Sequence, residues 1–183
     1  MNSGPETVVE GGDQITKLHD AAEIARRIDA LAAEIAAALP KDPLVVALLK
    51  GSFVFVADLV RALHPLGLTP QIEFLRLSSY GMGKESSRQV RLIGEVPRVA
   101  GRAVLLVDDI VDTGRSLAQA RDLLAEGGAE KVWTCALVDK PARREVDFKA
   151  DFVGFSVPDL FLVGYGIDYA EKHRHLPYIG TVD

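Results

Sequence analysis

Residues 104–117, "VLLVDDIVDTGRSL", place carboxylates at Asp108, Asp109 and Asp112 directly behind four apolar residues. Thr113-Gly114-Arg115-Ser116 follows them. A continuous apolar run suits a buried parallel strand, and in an open parallel sheet ligands bind beyond the carboxyl ends of the strands. The Thr-Gly-Arg-Ser turn opens a helix, so its free N–H groups make an anion site, and the Thr113 and Ser116 hydroxyls add donors. One loop therefore offers acceptors first and anion-binding donors second. That order suits a sugar phosphate, with carboxylates for hydroxyls, a metal or a proton and the turn for the phosphate. An acidic turn that merely caps a helix, with Asp112 as the cap, accounts for one carboxylate and not for three.

Three other readings share part of the pattern. A response-regulator receiver also ends a strand in paired acids, but near the start of a domain, whereas only residues 118–183 follow this loop. A nucleotide hydrolase would need a G-x-x-x-x-G-K-[ST] loop, which the chain lacks. An aspartyl phosphotransferase would need D-x-D-x-T, and position 110 is Ile.

Other residues carry weaker signals. Lys50-Gly51 ends an apolar run, where a lone lysine reads as a snorkelling side chain. Lys140 before Pro141 reads as surface, and Phe161 in an apolar run reads as core. His173 and His175 form an H-x-H without a second ligand cluster, which suits a solvated or structural role. Cys135 is the single cysteine and lies in "KVWTCALVD". It reads as a buried, inert thiol, which excludes an internal disulfide and suits a reducing cytoplasm.

The elements that must hold these residues follow from periodicity. Ile24, Ile28, Leu31, Ile35 and Leu39 repeat at helical spacing until Pro40. "LVVALLK" (44–50) reads as a buried strand and "SFVFVADLVRAL" (52–63) as the helix behind it. "QIEFLRL" (71–77) alternates like a strand, and the Ser/Gly-rich 78–90 reads as a loop of the lid or binding type. "RLIGEV" reads as its return strand; "AVLLV" (103–107), "KVWTCALVD" (131–139), "FVGFSV" (152–157) and "LFLVGYGI" (160–167) as further strands; and 116–128 as a helix with a Gly stop. Strands alternating with helices predict an α/β fold with a mainly parallel central sheet flanked by helices. The chain has 183 residues, 48% of them hydrophobic and 26% charged, which suits one domain over 1–183 after a loose tail at 1–14. No run approaches the roughly 20 apolar residues of a membrane span, and no signal peptide is read at the N-terminus. The net charge of -5 speaks against nucleic acid as the main partner.

The 104–117 run resembles the phosphoribosyl-diphosphate (PRPP) motif of type I phosphoribosyltransferases. More narrowly, the chain resembles the bacterial hypoxanthine-guanine branch. The likeness also rests on "LLKGSFVFVADLVR" (48–61), "LSSYG" (77–81), "LVDKPARR" (137–144) and "DFVGFSVPDLFLVGYGIDYAEKHRHLPYIG" (151–180). It implies a small hood subdomain, formed mainly by 152–183 with N-terminal residues, and a homodimer or homotetramer. The implied reaction moves the phosphoribosyl group of PRPP to hypoxanthine or guanine, with Mg²⁺ as cofactor. A xanthine-guanine enzyme is the nearest alternative, and a catalytically silent RNA- or nucleotide-binding regulator a more distant one.

Roles follow from the same resemblance. Asp108 and Asp109 hold the ribose hydroxyls, directly or through Mg²⁺ and its waters, although the family usually has Glu at the first of the pair. Asp112 faces purine N7 as the catalytic proton acceptor. Thr113, Gly114, Arg115 and Ser116 form the 5′-phosphate turn, with Arg115 equally readable as a solvated surface arginine. Lys50, Gly51 and Arg174 take the diphosphate, and the family carries a non-proline cis peptide before or at Gly51, the residue after Lys50. Ser79 and Tyr80 begin the lid. Lys140 donates to the purine 6-oxo group, Phe161 stacks on the base, Leu162 offers its backbone to the purine edge, and Asp168 binds Mg²⁺. Arg144 has no assigned role.

Overall fold

A computed structural model describes residues 6–80 and 89–182, with 78–80 and 89–91 described as strand backbone only. Its strands are β1 (Thr7–Glu10), β2 (Asp13–His19), β3 (Leu44–Leu49), β4 (Gln71–Tyr80), β5 (Gln89–Ile93), β6 (Ala103–Val111), β7 (Lys131–Asp139), β8 (Phe152–Ser156), β9 (Leu162–Val163) and β10 (Ile179–Val182). Its helices are α1 (Ala21–Ala38), α2 (Phe53–Leu63) and α3 (Arg115–Glu126). The main sheet runs β5-β4-β3-β6-β7-β8, parallel except where β5 returns against β4. This is the α/β class that the alternating pattern predicts.

Each face of the sheet is closed by a helical layer. Val45, Ala47, Leu105, Val107 and Leu137 face α1 and α2, and pack on Ile24, Ile28, Leu31, Ile35, Phe55 and Leu59. The intervening residues Leu44, Val46, Leu48, Val104, Leu106 and Ala136 face Leu117, Ala120 and Leu124 of α3. The period-2 alternation of the strands thus splits one apolar run between two cores. Cys135 is fully buried in the first, and burial pushes its thiol pKa up. α1 starts at Asp20, whose carboxylate accepts from Glu23 N at 2.7 Å. It stops at Leu39, which Pro40 forces into the extended region.

Several sequence expectations need correction. Residues 7–10 are a strand, so the loose tail does not reach 14; Val8 and Ile15 pack with Val163, Leu176 and Tyr178. β2 pairs with β10, and β10 with β9, to make a four-stranded antiparallel sheet from the two ends of the chain. The 152–183 segment first gives β8 to the main sheet and only then enters this second sheet. The expected strand over 160–167 reduces to Leu162–Val163, because Gly164, Tyr165 and Gly166 all take positive φ. Strand β4 continues to Tyr80 where a loop was expected from 78, held by β5. The lid assignment therefore falls partly on strand backbone at Ser79 and Tyr80 and partly on 81–88, which lie outside the described residues.

Candidate active site

Strand β6 is longer than the apolar run that announces it. Its ladder to β3 ends at Val107, but its ladder to β7 continues through Asp108, Ile110 and Val111. Asp108 and Asp109 are therefore carried on an overhang of the strand, rather than in a loop beyond it. One side remains paired, which fixes the backbone, and the β3 side is open where the chain turns away at Lys50. Asp109 turns toward that opening. A Cβ on Gly51 would overlap its carboxylate, so glycine at 51 is what allows the two loops to meet. The cis peptide is Leu49–Lys50, one bond before the Lys50–Gly51 position that the resemblance implies.

Asp108 is held differently. Its Oδ1 accepts from Asp109 N at 2.9 Å. Burial pushes its carboxyl pKa well above the usual carboxylate range, and the adjacent Asp109 charge acts in the same direction.

Asp112 lies beyond the overhang. Gly114, at φ 84°, occupies the N-cap of α3, and no side chain caps this helix. The Asp112 carboxylate instead accepts from Arg143 Nε at 3.1 Å, and it is 44% exposed. The capping explanation for this acid is therefore not what the fold uses. Asp108, Asp112, Thr113, Gly114 and Ser116 line a concavity of about 80 Å³ at the start of α3. Arg115 turns outward to Glu145 at 2.8 Å, which favours the surface reading of this arginine.

Two further segments converge on this end of the sheet. Lys140 follows β7 and is only 7% exposed. Its Nζ donates to Leu160 O at 2.6 Å, which fixes the ammonium beside the segment bearing Phe161 and leaves it further donors. Phe161 is 56% exposed, with its ring edge-to-face against Tyr169 at 5.3 Å. This corrects the core reading of an aromatic in an apolar run. Leu162 is buried in β9, where its backbone pairs with Thr181.

After β9 the chain passes under the Lys50 loop. Gly166 sits so close to Gly51 O that a Cβ there would overlap it, and its φ of 97° also demands glycine. Arg174 Nη1 donates to Gly166 O at 2.8 Å, and its Nη2 lies 2.8 Å from Asp168 Oδ1. Asp168 Oδ2 accepts from Glu171 N at 2.8 Å. Lys50 pairs with Glu171 at 3.0 Å and lowers that carboxyl's pKa. Sequence reading omits Glu171 and also Tyr165, whose hydroxyl donates to Asp58 of α2 and steadies the turn between Gly164 and Gly166. Neither has a sequence signal: both contacts join segments more than a hundred residues apart. His173 is buried with Nε2 2.7 Å from Asp13, the structural role expected of it. Among the described residues, no group of three or more His, Cys, Asp and Glu side chains is placed to hold a metal on its own.

The geometry agrees with what is found on comparison with known proteins. Residues 14–170 match the model of the phosphoribosyl transferase domain. The hypoxanthine phosphoribosyltransferase of Escherichia coli K12 is 44% identical over 142 residues, which is 77% of this chain and 78% of that protein. The hypoxanthine-guanine phosphoribosyltransferase of Aquifex aeolicus is 43% identical over 175 residues, 94% of this chain and 97% of that one. A crystal structure of a hypoxanthine-guanine phosphoribosyltransferase from Bacillus anthracis superimposes with a TM-score of 0.83 at 36% identity, covering 97% of this chain and 100% of that chain.

Proposed function

The chain belongs to the phosphoribosyl transferase family, and on that premise we propose that it transfers the 5-phosphoribosyl group of PRPP to hypoxanthine or guanine, releasing diphosphate. The observation that carries this reading is the meeting of the β6 overhang with three other segments at one end of the sheet. Asp109 lies against Gly51, Gly51 against Gly166, and Lys140 is anchored beside Phe161.

The chemistry is displacement at ribose C1, with a ribosyl-cation-like transition state. Thr113, Gly114 and Ser116 hold the 5′-phosphate at the start of α3. Asp108 and Asp109 take the ribose hydroxyls. Lys50, the Gly51 backbone and Arg174 receive the diphosphate as charge develops on it. Phe161 offers its exposed face to the base, and the backbone of Leu162 meets the purine edge. Lys140 donates to the 6-oxo group. Asp112 takes the proton from purine N7 as the new bond forms. The four-stranded sheet of β1, β2, β9 and β10 serves as the hood, and Ser79 and Tyr80 lead into the lid.

Mg²⁺ fits this donor set. The site offers separate hard carboxylates at Asp168 and at Asp108–Asp109 and no complete side-chain cage, which suits an ion that keeps substrate oxygens and waters. Bound there, it neutralises diphosphate charge. The reducing cytoplasm suits a chain whose one cysteine is buried.

Hypoxanthine and guanine should turn over with PRPP and Mg²⁺, and adenine should not, because its 6-amino group sets a donor against the Lys140 donor. A panel of the three bases checks this; adenine reacting as fast as hypoxanthine would refute the purine assignment. We also expect a homodimer or homotetramer. Phe53 on α2, Leu66 just after that helix, and Ile72 and Phe74 on β4 are all exposed apolar side chains. Light scattering at micromolar concentration should give a multiple of the 19.8 kDa chain mass, and a monomer would overturn the assembly.

A further inference from the structure

The segment after β7 is laced to the aspartate loop at three successive carbonyls. Lys140 N donates to Val111 O at 2.9 Å, and Glu145 N donates to Thr113 O at 3.0 Å. Between them, Asp112 O accepts from Arg144 Nη1 at 2.6 Å. The outer two bonds are main chain to main chain and would form with many sequences. The middle one is made by a side chain, and it falls on the residue assigned the proton transfer.

Arg144 is built into place. Its side chain is 17% exposed, and its Nη2 pairs with Asp139, which is 16% exposed. Asp139 is the last residue of β7 and directly precedes Lys140. The stem of Arg144 lies against Gly114: a Cβ there would stand 2.9 Å from Arg144 Cδ. One planar fork therefore spans the end of β7, the main chain of Asp112 and the phosphate turn. Lysine has no such fork. Arg143 also reaches Asp112, but it grips the carboxylate from a position 48% exposed, where solvent screens the pair. Any proton acceptor at 112 must trade that surface partner for the substrate, while the buried Arg144 bond can persist throughout.

We propose that Arg144, anchored by Asp139, is a positioning residue that fixes the Asp112 backbone and so aims its carboxylate, in register with Lys140, at the purine. This rests on the reading of Asp112 as the proton acceptor. Misplacing a reacting group by about 1 Å costs up to about 10²-fold in rate. Arg144→Met should therefore lower kcat by about 10- to 100-fold.

The test is a double-mutant cycle with Asp112→Asn, with melting recorded for every variant. A residue that acts through Asp112 has little left to do once the acceptor is gone. In the Asp112→Asn background, Arg144→Met should change kcat by less than about threefold. A full 10- to 100-fold loss there, or no loss in the wild-type background, would overturn the proposal. If Asp112→Asn alone leaves kcat intact, the reading of Asp112 fails instead, and the two failures are told apart. Should Arg144→Met not fold, Arg144→Lys removes the fork and Asp139→Asn its charged anchor with smaller changes, and the same non-additive pattern is expected of each. Additive losses in both would overturn the proposal equally.

Discussion

Asp112→Asn is expected to fold normally, bind nucleotide and lose about 10²–10⁴-fold in kcat, the range typical of a general acid–base group. The substitution keeps size and hydrogen bonding but removes the ability to accept a proton. Stability should be little affected, for two reasons. The cap of α3 is Gly114 and no side chain caps the helix, so no cap is lost. The pair with Arg143 is half-exposed, and such pairs contribute about 0–1 kcal/mol. Steady-state rates and a melting curve on one preparation are sufficient. An Asn variant within about threefold of wild-type kcat would remove Asp112 from proton transfer and leave the loop as a phosphate cradle.

Gly51→Ala should be nearly as damaging, by a different route. The added methyl would overlap the Asp109 carboxylate, and Gly51 O already rests against Gly166, so the loop has no room to withdraw. Relief requires Asp109 or the Lys50 loop to move, which separates the ribose and diphosphate contacts. A fall of about 10²-fold or more in kcat/KM for PRPP is expected. GMP binding should weaken much less, because a nucleotide monophosphate makes no use of the diphosphate loop. Overpacking of this kind also costs about 1–3 kcal/mol of stability, so the melting temperature should fall. Unchanged kcat/KM for PRPP would contradict the close packing of the two loops.

The chain declares some of this architecture plainly and conceals the rest. β7 runs over 131–139 as its apolar stretch foretells; α1 follows from helical spacing up to Pro40 and α3 from its Gly stop, and each of these helices buries a continuous stripe. The second sheet is not legible, because β1, β9 and β10 have only two to four residues each and the sheet is joined by β10 pairing with β2 from the other end of the chain. β6 reads as ending at Val107, since three carboxylates look like a loop. Only its continued pairing with β7 shows that the first two acids, Asp108 and Asp109, stand on strand backbone, with Asp112 just past its end.

The same division holds within the site. Asp108, Asp109, Asp112 and the turn after them are local in sequence, and type and spacing alone point to a sugar phosphate. Lys140, Phe161, Asp168 and Arg174 carry no local signal and enter through family resemblance. Arg144 had neither. Its meaning lies in a 2.6 Å bond to a main-chain oxygen, and a backbone acceptor leaves no mark on the residue that supplies it. Glycines behave alike: Gly51 and Gly166 are ordinary letters until their missing Cβ atoms are seen to be what lets two distant loops touch.

The central claim is that this site makes a nucleotide from PRPP and a 6-oxopurine, rather than merely binding one as a regulator would. Incubating the full chain with PRPP, hypoxanthine and Mg²⁺, and quantifying products by chromatography, tests it most directly. The account expects IMP and diphosphate to appear in equal amounts, with hypoxanthine consumed in step. PRPP bound without any IMP formed would contradict it.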